Sequence, residues 1–216
     1  MKRNIFFIIL TLSLAACSSN KVDKESEQNK AEVISNLGES EKADLDKLAT
    51  HKESGVYHYK TFNTKDNSVI SEEVYGISDS YEFRTNSNGI YEFRDRDTST
   101  VANTKSNLYY QTNIAYKKDE REGISEELYN DLYQKGKFNI VKDDKYITLK
   151  FDNGDYRKYD SDSLDLIEET FTSEDMHLIR KLESHDNNVE GAYKKYIDII
   201  NNMQKVDDIG QVTKNE

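Results

Sequence analysis

Four histidines, a run of aspartates and a single cysteine are the residues of this chain whose types could do chemistry. His51 and His58 lie seven apart, and in an extended segment His58 points away from its neighbours Tyr57 and Tyr59. A metal ion held by such a pair needs a third ligand, and local spacing supplies none. Ordinary packing or surface roles account better for these two and for His177 and His185. Asp152, Asp155, Asp160, Asp162 and Asp165 could offer carboxylates to calcium. The EF-hand loop, with its fixed glycine and closing glutamate, is absent, and aspartates in turns are the simpler reading. No Gly-x-Ser-x-Gly elbow and no phosphate-cradling glycine loop occurs. With 41 acidic residues, paired carboxylates discriminate nothing. The sequence disfavours an enzyme and implies no catalytic residue, metal or cofactor.

The cysteine ends the run Leu14-Ala15-Ala16-Cys17. Ahead of it stand Lys2 and Arg3, then an apolar stretch from Ile5 to Leu14. Positive charge, a short apolar region and small residues at the cut are the parts of a secretory signal. At about 1.5 Å per residue the stretch falls short of a roughly 30 Å hydrocarbon core, so a permanent span is not expected. Leu-Ala-Ala-Cys resembles a bacterial lipobox, with a thiol at the cut, small residues before it and a leucine three positions ahead. The resemblance implies that residues 1–16 are removed as a signal peptide and that Cys17 takes a diacylglyceryl group. Palmitate-type chains there would anchor the protein to the extracytoplasmic face of the bacterial membrane, or to an outer membrane where the host has one. An ordinary signal peptide leaving a free thiol is the alternative.

Charge and composition narrow the partners. The formal net charge is −11, and −13 once Lys2 and Arg3 leave with the signal peptide, which argues against nucleic acid as a partner. One cysteine excludes an internal disulfide framework and a multi-cysteine zinc site. Residues 17–30 comprise the lipidated cysteine and a polar segment with too little apolar surface to order itself, a disordered tether. Residues 31–205 form one α+β domain, and residues 206–216 read as a flexible tail.

Positioning elements follow from periodicity. Between Asn29 and Thr50 a helical pattern is interrupted at Gly38, giving two short helices or one frayed one. Strands are expected over Gly55–Phe62, Ser68–Tyr75, Tyr81–Arg84, Tyr91–Arg94 and Leu108–Tyr116. An inserted helix opens at Ser125 and stops at Gly136. Strands resume at Phe138–Val141, Tyr146–Phe151, Tyr156–Tyr159, Leu164–Thr172 and His177–Leu182, with Asn153-Gly154 calling for a type I′ hairpin turn. A closing helix runs from Val189 to Met203. The fold class is a curled antiparallel β-sheet, half-barrel-like, with N-terminal, inserted and C-terminal helices; a sheet of this many strands must curl or split.

Tyr81-Glu82-Phe83-Arg84 is nearly repeated as Tyr91-Glu92-Phe93-Arg94, so each copy sets its aromatics on one strand face and Glu and Arg on the other. Tyr81, Phe83, Tyr91 and Phe93, joined by Tyr110 and Tyr116, are the candidate ligand-binding residues; covered by helices they are core, and left open they form a groove. The helix running into a Tyr/His-rich first strand over Leu45–Phe62 resembles the periplasmic lipoprotein-carrier superfamily (LolA/LppX-like). So does the strand–turn–strand run over Gly154–Lys181, although it lacks the proline common there. The resemblance implies a half-barrel closed by helices around a greasy cavity. Two functions are therefore expected: a non-enzymatic surface lipoprotein binding an apolar or glycan envelope ligand on its aromatic sheet, or a structural module docking a partner protein.

Overall fold

The computed structural model describes residues 29–35, 37–113, 124–173 and 175–213. The signal peptide, Cys17, most of the tether and Tyr116 lie outside the described residues. The helical pattern resolves into two short helices, α1 over 29–35 and α2 over Glu39–Thr50. Glu41 at the start of α2 accepts a hydrogen bond from the Gly38 N–H at 2.8 Å, satisfying one of the donors a helix start leaves free. Six strands follow: β1 (Gly55–Asn63), β2 (Val69–Ile77), β3 (Glu82–Asn86), β4 (Ile90–Arg94), β5 (Ser99–Asn103) and β6 (Leu108–Thr112). Helix α3 (Ile124–Lys135) is closed by Gly136, whose left-handed φ of +85° lets its N–H turn back to the Leu132 carbonyl. Next come β7 (Phe138–Lys142), β8 (Tyr146–Phe151), β9 (Tyr156–Asp160), β10 (Leu166–Ser173) and β11 (Met176–Asp186). Helix α4 (Val189–Ile197) continues as a 3₁₀ turn over Asp198–Asn202, followed by β12 (Gln204–Val206) and α5 (Ile209–Thr213).

The fold class is α+β, and the twelve strands of the described residues belong to one open sheet in the order β12-β6-β5-β4-β3-β2-β1-β11-β10-β9-β8-β7. Two meanders, β1–β6 and β7–β11, meet where β1 pairs antiparallel with β11. Among the described strands only β12 runs parallel, against β6, so the sheet is mixed rather than wholly antiparallel.

Cross-strand register sorts the side chains onto two faces, because directly opposed residues share a face. Ile147 and Leu149 of β8 face the same way as Tyr159, Glu169, Arg180 and Thr61, and hence as Tyr57 and Tyr59. On this first face α2 and α3 cover the second meander with Leu45, Leu48, Tyr129 and Leu132 against Ile147, Leu149 and Phe151. Val56, Gly76, Phe83, Phe93 and Thr100 occupy the opposite face of the first meander, and α4 lies there. The helices α2 and α3 on one side and α4 on the other thus cover opposite faces at opposite ends of one sheet.

Two sequence expectations are corrected, and one strand lies where the sequence predicts none. Residues 206–213 are no loose tail: Val206 is buried in β12, Val212 is fully buried, and the Val212 carbonyl accepts from Asn103 Nδ2 at 2.9 Å. Two valines in a polar stretch suffice, because the exposed edge of β6 supplies the other half of the contact. Strand β5 was not foreseen, since Ser99–Asn103 carries only Val101 and Ala102 as apolar residues between paired neighbours. Finally, the β8–β9 hairpin forms, but only Gly154 has positive φ (+89°), not Asn153. The Gly154 N–H donates to the Phe151 carbonyl and the Phe151 N–H to the Asp155 carbonyl, a three-residue loop ending in a left-handed glycine.

Candidate functional site

The duplicated hairpin places its aromatics as expected. Phe83 and Phe93 are direct cross-strand partners, and each retains 1% of its surface. The Phe83 ring lies against Gly76, where a Cβ would come within 2.0 Å of it, so this close approach requires glycine. Helix α4 then lays Tyr193 and Tyr196 across the pair. Tyr193 stands 4.6 Å from Tyr81, 6.4 Å from Phe83 and 6.0 Å from Phe93 between ring centroids; Tyr196 stands 5.3 Å from Phe83 and 6.3 Å from Tyr91. Edge-to-face and tilted contacts at these separations are those aromatic rings prefer. Tyr193 Oη donates to Asp95 Oδ2 at 3.0 Å. Burial opposes ionisation of Asp95, but the N–H groups of Asp97 and Thr98, with the Tyr193 and Thr98 hydroxyls, outweigh it and hold its carboxyl below the ordinary carboxylate range. The Tyr193 phenol is pushed up, first by burial and then by Asp95.

Of the six candidate aromatics, the structure brings four together: Tyr81, Phe83, Tyr91 and Phe93, all in contact with α4's cluster. Tyr110 does not join them. Tyr91 opposes Ala102 and Ala102 opposes Tyr109, so Tyr109 shares their face and Tyr110 points to the other. Cys17 and Tyr116 fall outside the described residues.

On the first face, beside the edge of the α2–α3 layer, lies an arrangement that sequence reasoning missed. Asp131 of α3 pairs with Arg157 at 2.6 Å, Arg157 with Glu169 at 3.1 Å, Glu169 with Arg180 at 3.0 Å, and Arg180 with Glu73 at 3.7 Å. Glu73 in turn accepts a short hydrogen bond from Arg84. Alternating charge therefore crosses from α3 through β9, β10 and β11 to β2 and β3. The Arg180 guanidinium lies 4.0 Å above the Tyr59 ring, and Tyr59 Oη donates to the Leu166 carbonyl at 2.8 Å. Burial disfavours the charged form of Arg180, yet Glu73 and Glu169 on either side raise its pKa above the ordinary arginine value. The Glu/Arg alternation of β3 and β4 hinted at one end of this ladder. The links from Asp131 to Arg180 join neighbouring elements of the second meander, whereas the Arg180–Glu73 link joins residues more than a hundred positions apart and becomes visible only with the β1–β11 register.

Three of the four histidines face carboxylates: His51 is 3.5 Å from Asp165, His58 3.7 Å from Glu72, and His177 3.7 Å from Asp155. His185 instead stacks on Tyr57 at 4.6 Å, and Tyr57 Oη donates to Asp165 at 2.9 Å. Leu164, next to Asp165, has a left-handed φ of +62°, an uncommon conformation for a leucine. Of the aspartates considered for calcium, Asp155 and Asp160 serve turns, while Asp165 accepts from Tyr57 and faces His51. Asp160 Oδ1 accepts from the N–H groups of Asp162 and Ser163, and Asp155 pairs with the Asn153 amide. Among the described residues no group of three or more His, Cys, Asp or Glu is placed to hold a metal ion. No helix among them is long and apolar enough to cross a membrane.

No protein-family model matches the chain, and no curated protein matches it either.

Proposed function

We propose that the chain is a non-enzymatic lipoprotein of the bacterial extracytoplasmic face, anchored through lipid on Cys17, whose domain docks a partner protein. The anchor is supported by Leu14-Ala15-Ala16-Cys17 behind a basic, apolar leader. The choice of a protein partner over an enclosed apolar or glycan ligand is carried by one observation: the chain's own α4 fills the aromatic face. An acyl chain or sugar would have to displace Tyr193 and Tyr196 from Phe83 and Phe93 before touching either. The sheet surfaces that the described helices leave uncovered are mainly polar and charged, with Val69 and Ile70 of β2 and Val141 of β7 exposed among them. Arg84 and Glu92 are exposed on one face; on the other, Lys158 lies 4.1 Å over Tyr146, and Lys181 pairs with Glu168. Such surfaces suit the polar, water-bearing contacts of non-obligate protein interfaces.

Two measurements test this. Radiolabelled palmitate is expected to enter the wild-type chain and not Cys17→Ala, which should also leave the membrane fraction; label entering neither, or both alike, removes the anchor. Native mass spectrometry of protein from its own host is expected to give the acylated chain with no further small molecule. A stoichiometric acyl or glycan adduct, lost on Phe83→Ala, would overturn the docking reading in favour of a ligand carrier.

A further inference from the structure

The two edges of the sheet are treated differently. At one end β12 pairs with β6, and α5 buries Val212 beside it. At the other end β7 pairs with β8 alone among the described residues. Unprotected edge strands are templates for pairing, and proteins usually blunt them with proline, bulges or a covering element. Strand β7 is short and its Lys142 is drawn onto Asp44 of α2 at 2.7 Å, but it has no proline or bulge and no covering element among the described residues, and its five residues pair with β8 in unbroken register.

The backbone shows what this edge offers. The Asp143 N–H donates to the Tyr146 carbonyl and the Asp152 N–H to the Lys137 carbonyl. Antiparallel pairs alternate, so residues 137, 139, 141 and 143 turn their main-chain groups toward β8. Phe138, Ile140 and Lys142 therefore turn their N–H and C=O groups outward.

We propose that β7 is a homotypic docking edge at which a second copy of this chain pairs antiparallel about a two-fold axis through Ile140. In this register Ile140 meets Ile140 of the second copy, and Phe138 meets Lys142 of the second copy on each side. Every outward main-chain group is then hydrogen-bonded. The same register sets Lys137 opposite Asp143 of the second copy, twice by symmetry, and Asn139 opposite Val141, whose side chain is 42% exposed in the single chain. A shift of two residues either way leaves outward groups unpaired, and in one direction opposes Lys137 to Lys145. Charge complementarity and hydrogen-bond count thus select one register. The partly buried Phe138 and Ile140, which already pack against the α2–α3 core, would extend that core across the axis. A contact this small is weak in dilute solution.

The proposal rests on the fold and not on lipidation or on a heterologous partner, so its failure leaves the proposed function standing. The test uses the chain purified in detergent, with residue-resolved amide exchange over a range of protein concentration. Asn139 and Val141 are expected to be protected throughout. Phe138, Ile140 and Lys142 should slow about tenfold or more as sedimentation reports a dimer. Lys137→Glu, a surface change that sets two carboxylates face to face, should move both transitions to about tenfold higher concentration. Asn139→Cys with Val141→Cys should give a crosslinked dimer under mild oxidation. A chain that stays monomeric, or a dimer in which Phe138, Ile140 and Lys142 keep exchanging fast, overturns the proposal.

Discussion

The two helix-covered cores are built of different materials on opposite faces of one sheet. Under α2 and α3 the contact is mainly aliphatic, with Leu45, Leu132, Ile147 and Leu149 removed from solvent and few polar atoms to place. Under α4 it is aromatic, and the covering residues Tyr193 and Tyr196 carry hydroxyls that need partners or water. The difference teaches how a chain with only 35% hydrophobic residues supports twelve strands. Neither face is apolar along its whole width. Each meander supplies an apolar face to its helices, and the stretches that the described helices leave uncovered carry mainly Glu, Arg, Lys and Tyr, with Val69, Ile70 and Val141 exposed among them.

Removing a large side chain from either core should produce the greatest effects. Phe93→Ala is expected to cost about 3–5 kcal/mol and Leu149→Ala about 2–5 kcal/mol in chemical denaturation. The two residues share no partner, so the double variant should be additive within about 0.5 kcal/mol. Strong coupling would show that the cores are one unit and break the comparison.

Next in size is the ladder between the cores. Arg180→Met should cost about 1.5–3 kcal/mol, because Glu73 and Glu169 lose their shared cation. Its signature is coupling with Glu169→Gln in a double-mutant cycle; strictly additive losses would assign the effect to packing over Tyr59. Gly76→Ala, at about 1–3 kcal/mol, probes the aromatic core alone. The new methyl must push Phe83 aside, so near-ultraviolet circular dichroism should change while far-ultraviolet signal is retained.

Much of this architecture was legible from the sequence, because strand alternation and the Tyr-x-Phe duplication are local signals. The Gly38 break, the Gly136 stop and the Asn153-Gly154 hairpin are all read from residues within a turn of one another. What escaped depends on distant partners. β12 and α5 exist because β6 leaves an edge to cover, β5 because two good strands flank it, and Tyr110's face follows from a register counted through Ala102 and Tyr109. The same limit applies to the Arg180–Glu73 link of the charged ladder. Periodicity said that Phe83 and Phe93 share a face, but not that α4 would occupy it, since nothing local ties residue 193 to residue 83.

The smallest effect separates the two cores by pH. Tyr193→Phe keeps the ring and removes one hydrogen bond to Asp95, expected to cost about 1 kcal/mol at neutral pH. Asp95 titrates below its ordinary value of 3.8 in the folded chain, so its stabilisation is present above that value and fades as pH falls through the lower, folded pKa. Tyr193 titrates above its ordinary 10.0, so the phenol's stabilisation is complete below pH 10 and fades as pH climbs toward the raised, folded pKa. Wild type and Tyr193→Phe should therefore differ on the plateau between these limits and converge toward both extremes. Three other donors to Asp95 remain, the Asp97 N–H and the N–H and hydroxyl of Thr98, so acid sensitivity should be reduced and not abolished. Leu149→Ala offers the contrast: its cost comes from lost contacts and a cavity, with no proton involved, and should stay level across the same range. Parallel curves for the two variants would mean that the hydroxyl of Tyr193 contributes nothing and that α4 is held by ring packing alone.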